Sequence, residues 1–216
     1  MGMTTGSFMN HLAAWTRAAC REWGWREPGH DYYERVASRL PEGLRIFLTE
    51  GIEHGLILPR GRTFTLKNLA PGKGPYSWFS RHNAERGPNP NWEYFVQAAE
   101  FVRLSRIAER RCLTVTFEDH LMDLALYDGQ RLLVCVEIKE RASQPEMLVR
   151  QLKAYESVVP LSAADRGNDP LRKAKYLVRR RPDYFCGAAI GVRLEYAVHY
   201  SGARAFHLVR DVMPWA

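Results

Sequence analysis

The chain has 216 residues, of which 46% are hydrophobic and 25% are charged, a composition typical of a folded globular protein. Its formal net charge of +7 favours a polyanionic partner, because neutralised phosphates release their condensed counterions. No apolar run approaches the roughly 18 residues that span a bilayer, and the N-terminus lacks the pattern of a secretion signal, so we expect no membrane partner and a cytoplasmic protein.

Residues 1–85 predict a mainly helical subdomain. Apolar spacing and alternation predict three helices and a short strand, or a hairpin, in this order: 8–24, 31–40, 42–56 and 62–66. This order fits either a winged-helix DNA reader or helical decoration of a larger domain. The stretch 68–91 is rich in proline and glycine and is predicted to be a long loop. Its Tyr76, Trp78 and Phe79 either stack on bases or anchor the loop to the core.

From residue 86 onward the pattern predicts an α/β domain. A long helix is followed by three strands, two helices and two closing strands, predicted at 92–111, 112–118, 121–127, 132–138, 145–158, 170–181, 192–200 and 204–210. Elements in this order pack as layers of helices on a sheet. We therefore expect two domains, 1–85 and 86–216.

Two charged residues interrupt the apolar strand that ends in LLVCVEIKE. Glu137 and Lys139 are separated by one residue, so strand alternation places both side chains on the same face. Charged side chains are rarely buried unless they are paired, because their desolvation costs several kcal/mol. A strand that carries two such residues is therefore a candidate functional site.

The preceding strand contains a matching anomaly, Asp123, within LMDLALYDG. If the connecting loop comprises the three residues 129–131, Asp123 falls directly opposite Glu137, and opposed residues of antiparallel strands point to the same face. Two carboxylates at that distance repel each other, and a hard divalent cation such as Mg²⁺ relieves the repulsion. The alternative is an ion pair of Lys139 with one of the two carboxylates.

Asp123, Glu137 and Lys139 together form D-x13-E-x-K across a hairpin that follows a glutamate-bearing helix. This pattern resembles the PD-(D/E)XK nuclease superfamily, although Met122 stands where the superfamily often has proline. An E-x-K triplet alone is weak evidence, because average composition yields about one by chance in a chain of this length. The resemblance covers 91–210 and implies a restriction-endonuclease-like core of helix, three-stranded meander, helix and further strands.

The resemblance implies a role for each hairpin residue. Asp123, Glu137 and the backbone carbonyl of Ile138 would bind one or two Mg²⁺ ions, for which Mn²⁺ can substitute. Lys139 would orient the attacking water or neutralise the transition state. The superfamily also uses a glutamate of the first core helix, for which we prefer Glu93, at the helix start, with Glu100 as the alternative.

The helix after the E-x-K strand carries Gln151 and Tyr155, a Q-x3-Y spacing that resembles the RecB-like and lambda-exonuclease-like branch. Helical spacing places Gln151 within an apolar stripe that should face the sheet. The resemblance implies that these two residues help to position the substrate strand. The neighbouring basic residues Arg150 and Lys153 are further candidates for substrate contacts.

The sequence therefore predicts a Mg²⁺-dependent nuclease that hydrolyses DNA phosphodiester bonds, with a homodimer or a partner protein as possible assemblies. The alternatives are a catalytically inactive nuclease fold that binds nucleic acid or serves in assembly, and a protein-interaction domain. The last predicted helix carries a run of basic residues that indicates either a solvated face or phosphate contacts, namely Arg172, Lys173, Lys175, Arg179, Arg180 and Arg181.

Overall fold

The computed structural model describes residues 3–81, 85–165, 167 and 169–214, and it has a mixed α/β architecture. Contacts divide the chain into two compact units, Met1–Arg103 and Leu104–Ala216. This division lies inside the long central helix, whereas the sequence places the boundary at residues 85 and 86. Within the described residues, no helix has both the length and the apolar character needed to cross a membrane.

Four helices contribute to the first unit: α1 (Met3–Trp23), α2 (His30–Arg39), α3 (Glu42–Glu53) and α4 (Trp92–Arg111), whose last residues belong to the second unit. The bounds of α4 agree with the predicted 92–111. Helix α1 buries one stripe of side chains at helical spacing, which explains why it packs as an amphipathic helix. The members of that stripe are Phe8, Leu12, Trp15, Ala19 and Cys20.

Short strands form on both sides of residue 68. The strands β1 (Ile57–Arg60) and β2 (Thr63–Leu66) pair as a hairpin where the sequence predicted a short strand or a hairpin. Three two-residue strands lie within the segment 68–91 that was predicted to be a loop, namely β3 (Tyr76–Ser77), β4 (Phe79–Ser80) and β5 (Asn89–Pro90). The ring of Trp78 is fully buried, stacked on Trp15 with centroids 4.5 Å apart and on Phe64 at 3.9 Å. Base stacking by Trp78 is therefore the wrong alternative, because its ring already anchors the segment to the core. The winged-helix interpretation stays a prediction.

The second unit is built on a six-stranded mixed sheet. Its strands are β6 (Thr114–Asp119), β7 (Met122–Asp128), β8 (Arg131–Ile138), β9 (Tyr184–Ala189), β10 (Val192–Tyr200) and β11 (Phe206–Arg210). They lie in the order β11-β10-β9-β8-β7-β6, and β8 pairs with β9 in parallel. The helices α5 (Ser143–Lys153) and α6 (Asp169–Arg180) lie in the connection between β8 and β9. Strand β9, which lies inside the sheet, was not predicted from the sequence.

The β7–β8 hairpin has the predicted register at Asp123, but its turn and its strand pairing differ from the prediction. Its turn has two residues, Gly129 and Gln130, because Asp128 pairs with Arg131. The predicted three-residue loop is therefore wrong. An irregularity next to Leu126 adds one residue to β8, and beyond it Leu124 pairs with Val136. Continued by one residue, this register places Asp123 opposite Glu137.

The extra residue in β8 also changes which side chains share a face. Leu132 and Cys135 belong to the same buried cluster, together with Leu148 of α5 and Leu177 of α6. Strict alternation would have placed Leu132 and Cys135 on opposite faces. The face of β8 that continues from Cys135 to Glu137 is thus the face covered by α5 and α6, which allows a side chain of α6 to reach Glu137.

Candidate active site

Glu137 is the centre of a buried charge cluster at the end of β8. Only 4% of the residue is exposed, and both of its carboxylate oxygens accept hydrogen bonds from ammonium groups. The Nζ of Lys139 lies 2.5 Å from Oε1, and the Nζ of Lys173 lies 2.7 Å from Oε2. Two cations compensate for the desolvation of this one carboxylate, as burial of a charge requires.

Lys173 is a member of this site that the sequence analysis left in the basic run of α6. It is 4% exposed, and its ammonium lies near three oxygens: Glu137 Oε2, the carbonyl of Leu121 at 3.0 Å and a carboxylate oxygen of Asp169 at 3.6 Å. An ammonium has three protons to donate, so this environment can satisfy it. A signal was present in the sequence: Lys173 precedes the apolar Leu177 by four residues, so the two side chains share one face of the predicted helix.

Asp123 lies at the same end of the hairpin. Its Oδ2 accepts a hydrogen bond from the backbone N–H of Ile138 at 2.5 Å, a bond that joins the start of β7 to the end of β8. Its side chain is partly buried. The structure therefore brings Asp123 and Glu137 to one place, as the predicted register required.

Lys139 is the more accessible of the two lysines that contact Glu137, with 26% of its side chain exposed against 5% for Lys173. Burial acts to lower the pKa of its ammonium, but Glu137 above all, together with Asp123 and Asp169, reverses this effect, so that the pKa is raised. Lys139 therefore remains charged at neutral pH. Its ammonium is placed where it can meet an anion from solvent.

A strained turn joins β6 to β7, and its contacts connect both strands to α6. Glu118 and His120 have φ angles of +51° and +55°, values that residues other than glycine adopt rarely and at some cost. Between them, the buried carboxylate of Asp119 accepts hydrogen bonds from the hydroxyl groups of Tyr127 at 2.6 Å and of Tyr176 at 3.0 Å. These bonds tie β6, β7 and α6 together directly beside the carbonyl that Lys173 contacts.

The charges and donor atoms of this cluster suit a cation. Asp123, Glu137 and Asp169 supply three carboxylates against the ammonium groups of Lys139 and Lys173, which leaves one formal negative charge. Carboxylate oxygens are the ligands that Mg²⁺ prefers. No group of three or more His, Cys, Asp or Glu side chains that could hold a metal ion occurs in the described part of the chain. Asp123 and Glu137 are the two carboxylates that the β7–β8 hairpin brings to the same end of the sheet.

Comparison of the chain with protein-family models, with curated proteins and with solved structures finds no match.

The two candidate glutamates of α4 differ in their environments. Glu93 is exposed in the first turn of the helix. Glu100 is buried, and its carboxylate lies 3.0 Å from the guanidinium of Arg103. Burial raises the pKa of Glu100, and Arg103 only partly offsets that effect. Both glutamates belong to the first unit, and the preference for Glu93 stays a prediction.

The residues predicted to contact substrate lie on or just after α5. Gln151 is exposed, so its predicted burial in the apolar stripe is wrong: the buried stripe of α5 is instead Pro145, Leu148, Val149 and Leu152. The helix ends at Lys153, before Tyr155, which is partly buried against the core of the second unit. Arg150 and Lys153 are exposed, as substrate contacts would require.

Proposed function

We propose that this protein is a Mg²⁺-dependent nuclease that hydrolyses DNA phosphodiester bonds at the cluster of Asp123, Glu137 and Lys139. The observation that carries the proposal is the meeting of Asp123 and Glu137 around Ile138, with an accessible ammonium beside them. The six-stranded sheet, with α5 following the E-x-K strand, agrees with a restriction-endonuclease-like core, which is part of the same proposal.

Each residue has a role that its position supports. Asp123, Glu137 and the carbonyl of Ile138 would hold Mg²⁺, and Mn²⁺ could replace it. The N–H of Ile138 is directed at Asp123, and in an extended strand the N–H and C=O of one residue project to the same side. Bound there, the ion would supply an activated water and charge stabilisation on the phosphate. Lys139, which stays protonated and partly exposed, would neutralise charge that develops on the scissile phosphate.

The decisive experiment incubates linear, circular and single-stranded DNA with the protein in Mg²⁺ or in EDTA. We expect cleavage in Mg²⁺ and none in EDTA. The cleavage rate of Asp123→Asn and of Lys139→Gln should fall by about 10²-fold or more, because each change removes a charged group from the reacting centre. Glu146→Gln, which neutralises an exposed carboxylate of α5, is the matched control. Cleavage at the control rate by either site variant would refute the assigned roles.

Substitution of Glu137 affects folding as well as the proposed metal site. From the sequence alone, Glu137→Ala should leave folding intact, because it removes a strained charge. The structure contradicts that reasoning, since the substitution would leave the buried ammonium of Lys173 without its principal partner. Glu137→Gln keeps the shape and one acceptor oxygen, so it is the variant to assay, with its fold verified by circular dichroism.

A second candidate function is favoured by one observation: both oxygens of Glu137 already accept hydrogen bonds from lysines. Such a site resembles a charge cluster that neutralises itself, as expected of a nuclease fold that binds nucleic acid or serves in assembly without cutting. This alternative predicts retention of DNA that weakens with salt, no cleavage in Mg²⁺ or Mn²⁺, and no rise in melting temperature when Mg²⁺ is added.

A further inference from the structure

The first unit contains a pocket of about 420 Å³ between α2 and the segment that leads into α4. Pockets that bind small molecules occupy roughly 300–1,000 Å³, so this one has the size of a ligand site. One wall comes from α2, where Tyr32, Arg35, Val36 and Arg39 follow the i, i+3, i+4, i+7 spacing of a single helix face.

The floor of the pocket is apolar and held in place. Tyr32 and Val36 are buried, as is Trp92 at the start of α4. The hydroxyl of Tyr32 donates a hydrogen bond of 2.7 Å to the carbonyl of Pro88, which joins the two walls. Gly87 has a φ of +80°, and a Cβ there would lie 3.1 Å from the Tyr32 ring, so glycine permits this close approach. The cavity is thus a built feature of the unit.

The rim of the pocket is strongly basic. Arg35, Arg39 and Arg86 all line it and are exposed, and none of the described lining residues is acidic. Three guanidinium groups that line one small cavity favour an anion within it, because like charges at the rim add their attraction for the opposite charge. Guanidinium groups match phosphate oxygens with paired hydrogen bonds, which makes arginine the residue of choice for phosphate recognition.

Aromatic stacking adds a second chemical feature. The guanidinium of Arg39 lies over the ring of Trp92, 4.4 Å from its centroid, and that of Arg35 lies 5.7 Å from the centroid of the Tyr32 ring. Nucleobases stack on aromatic rings and on the planes of arginine guanidinium groups. The pocket therefore combines contacts for a phosphate with flat surfaces for a base.

From these features we propose that the pocket binds a nucleotide phosphate, with the phosphate held by Arg35, Arg39 and Arg86 and the base placed against the Arg39–Trp92 stack. This proposal does not depend on the nuclease activity, because each residue it uses belongs to the first unit. The phosphate can belong to a free mononucleotide or to the terminus of an oligonucleotide.

Titration calorimetry of the full chain in 150 mM NaCl tests the proposal with dAMP, inorganic phosphate and deoxyadenosine. Exposed charges that lie more than about 8 Å apart are largely screened at this ionic strength, so the long-range attraction of the basic protein for anions is small. We expect dAMP to bind at least 10-fold more tightly than either of the other two, because only dAMP offers both the phosphate and the base. Equal affinity for dAMP and deoxyadenosine would overturn the proposal.

Variants connect the binding to the pocket. Arg86→Gln and Arg35→Gln should each weaken dAMP binding about 10-fold, the usual effect of removing a hydrogen bond to a charged group. Arg60→Gln removes an exposed arginine of β1, outside the pocket, and should change nothing. Arg86 lies in a turn, outside the helices, so its loss should leave the fold intact. Unchanged dAMP affinity in both pocket variants would contradict the assignment.

A final comparison identifies the source of the phosphate. A tetranucleotide with a 5′-phosphate is titrated beside the same tetranucleotide with a 5′-hydroxyl. If the phosphorylated strand binds more tightly than dAMP, the ligand is a strand terminus; if dAMP binds more tightly, it is a free nucleotide. If the two tetranucleotides bind equally and dAMP does not bind, the pocket does not recognise a terminal phosphate and the proposal fails.

Discussion

At the scale of single residues, the contact between Lys173 and Glu137 combines two charges that are each 4% exposed. Removal of one partner from a buried ion pair typically costs about 3–5 kcal/mol, because the other charge remains desolvated. Lys139 stays beside Glu137 and offsets part of that cost. The stability of the second unit should therefore respond strongly to Lys173 and weakly to exposed lysines.

We expect Lys173→Met to lower the free energy of unfolding by about 3 kcal/mol, the low end of that range. Urea denaturation at pH 7 measures this change. Lys153→Met, at an exposed position of α5, is the control and should stay within about 0.5 kcal/mol of wild type. Adding Glu137→Gln to Lys173→Met should restore part of the loss. A loss no larger than that of the control would show that the buried pair is not needed for folding.

At the scale of elements, helix α3 contains two glycines in contrasting surroundings. A Cβ on Gly51 would collide with Val102 of α4 and would lie 2.8 Å from Ile57 Cδ1, whereas a Cβ on Gly43 would meet nothing within 4 Å. Alanine is otherwise preferred to glycine in helices by roughly 1 kcal/mol. The two positions therefore separate intrinsic helix propensity from packing.

We expect Gly43→Ala to raise the free energy of unfolding by about 0.5 kcal/mol through propensity. Gly51→Ala should lower it by about 1–3 kcal/mol, because the added methyl overpacks the α3–α4 contact. Thermal denaturation of both variants should show a higher melting temperature than wild type for Gly43→Ala and a lower one for Gly51→Ala. Stabilisation by Gly51→Ala would mean that Val102 and Ile57 move aside at little cost.

The elements of the second unit also indicate what the sequence can predict and where it fails. Periodicity located α4 and the strands that carry Asp123 and Glu137, because apolar alternation is a local signal. It missed β9, whose YFCGAA is short and contains a glycine, so that its strand identity depends on pairing with β8. The irregularity in β8 was equally invisible, because the hydrophobic pattern does not reveal an inserted residue.

The candidate site shows the same limit. Asp123, Glu137 and Lys139 could be predicted together because one hairpin joins them. Lys173 lies 36 residues from Glu137 and reaches it only through the packing of α6 on the sheet. The burial of Gln151 was predicted wrongly, because α5 buries Pro145 and Val149 beside Leu148 and Leu152, and the helix stops before Tyr155. Tertiary packing decided each of these cases.

At the scale of the whole molecule, the net charge of +7 favours DNA binding that weakens as salt is added. If the proposed function is right, the logarithm of the binding constant falls linearly with the logarithm of the salt concentration, by about 0.9 for each phosphate neutralised. Arg150 and Lys153 are exposed on α5, so they can each account for one of those phosphates.

The double variant Arg150→Gln/Lys153→Gln should therefore reduce the salt slope by about 1.8. Fluorescence anisotropy with a labelled duplex, measured between 50 and 300 mM NaCl in EDTA, gives the slope without cleavage. Arg60→Gln/Lys67→Gln removes the same charge from exposed positions of the first unit. Equal slopes for the two double variants would show that α5 makes no special contact with the phosphates.

The parallel pairing of β8 with β9 has a consequence for the order of folding. The β7–β8 hairpin closes over two residues, whereas β9 pairs with β8 across the whole crossover that contains α5 and α6. Contacts between neighbouring segments form sooner than distant ones, because less chain entropy is lost in making them. We therefore expect the carboxylate of Glu137 to stay hydrated beside Lys139 until α6 packs on the sheet. Burial of this carboxylate should then be among the last events of folding.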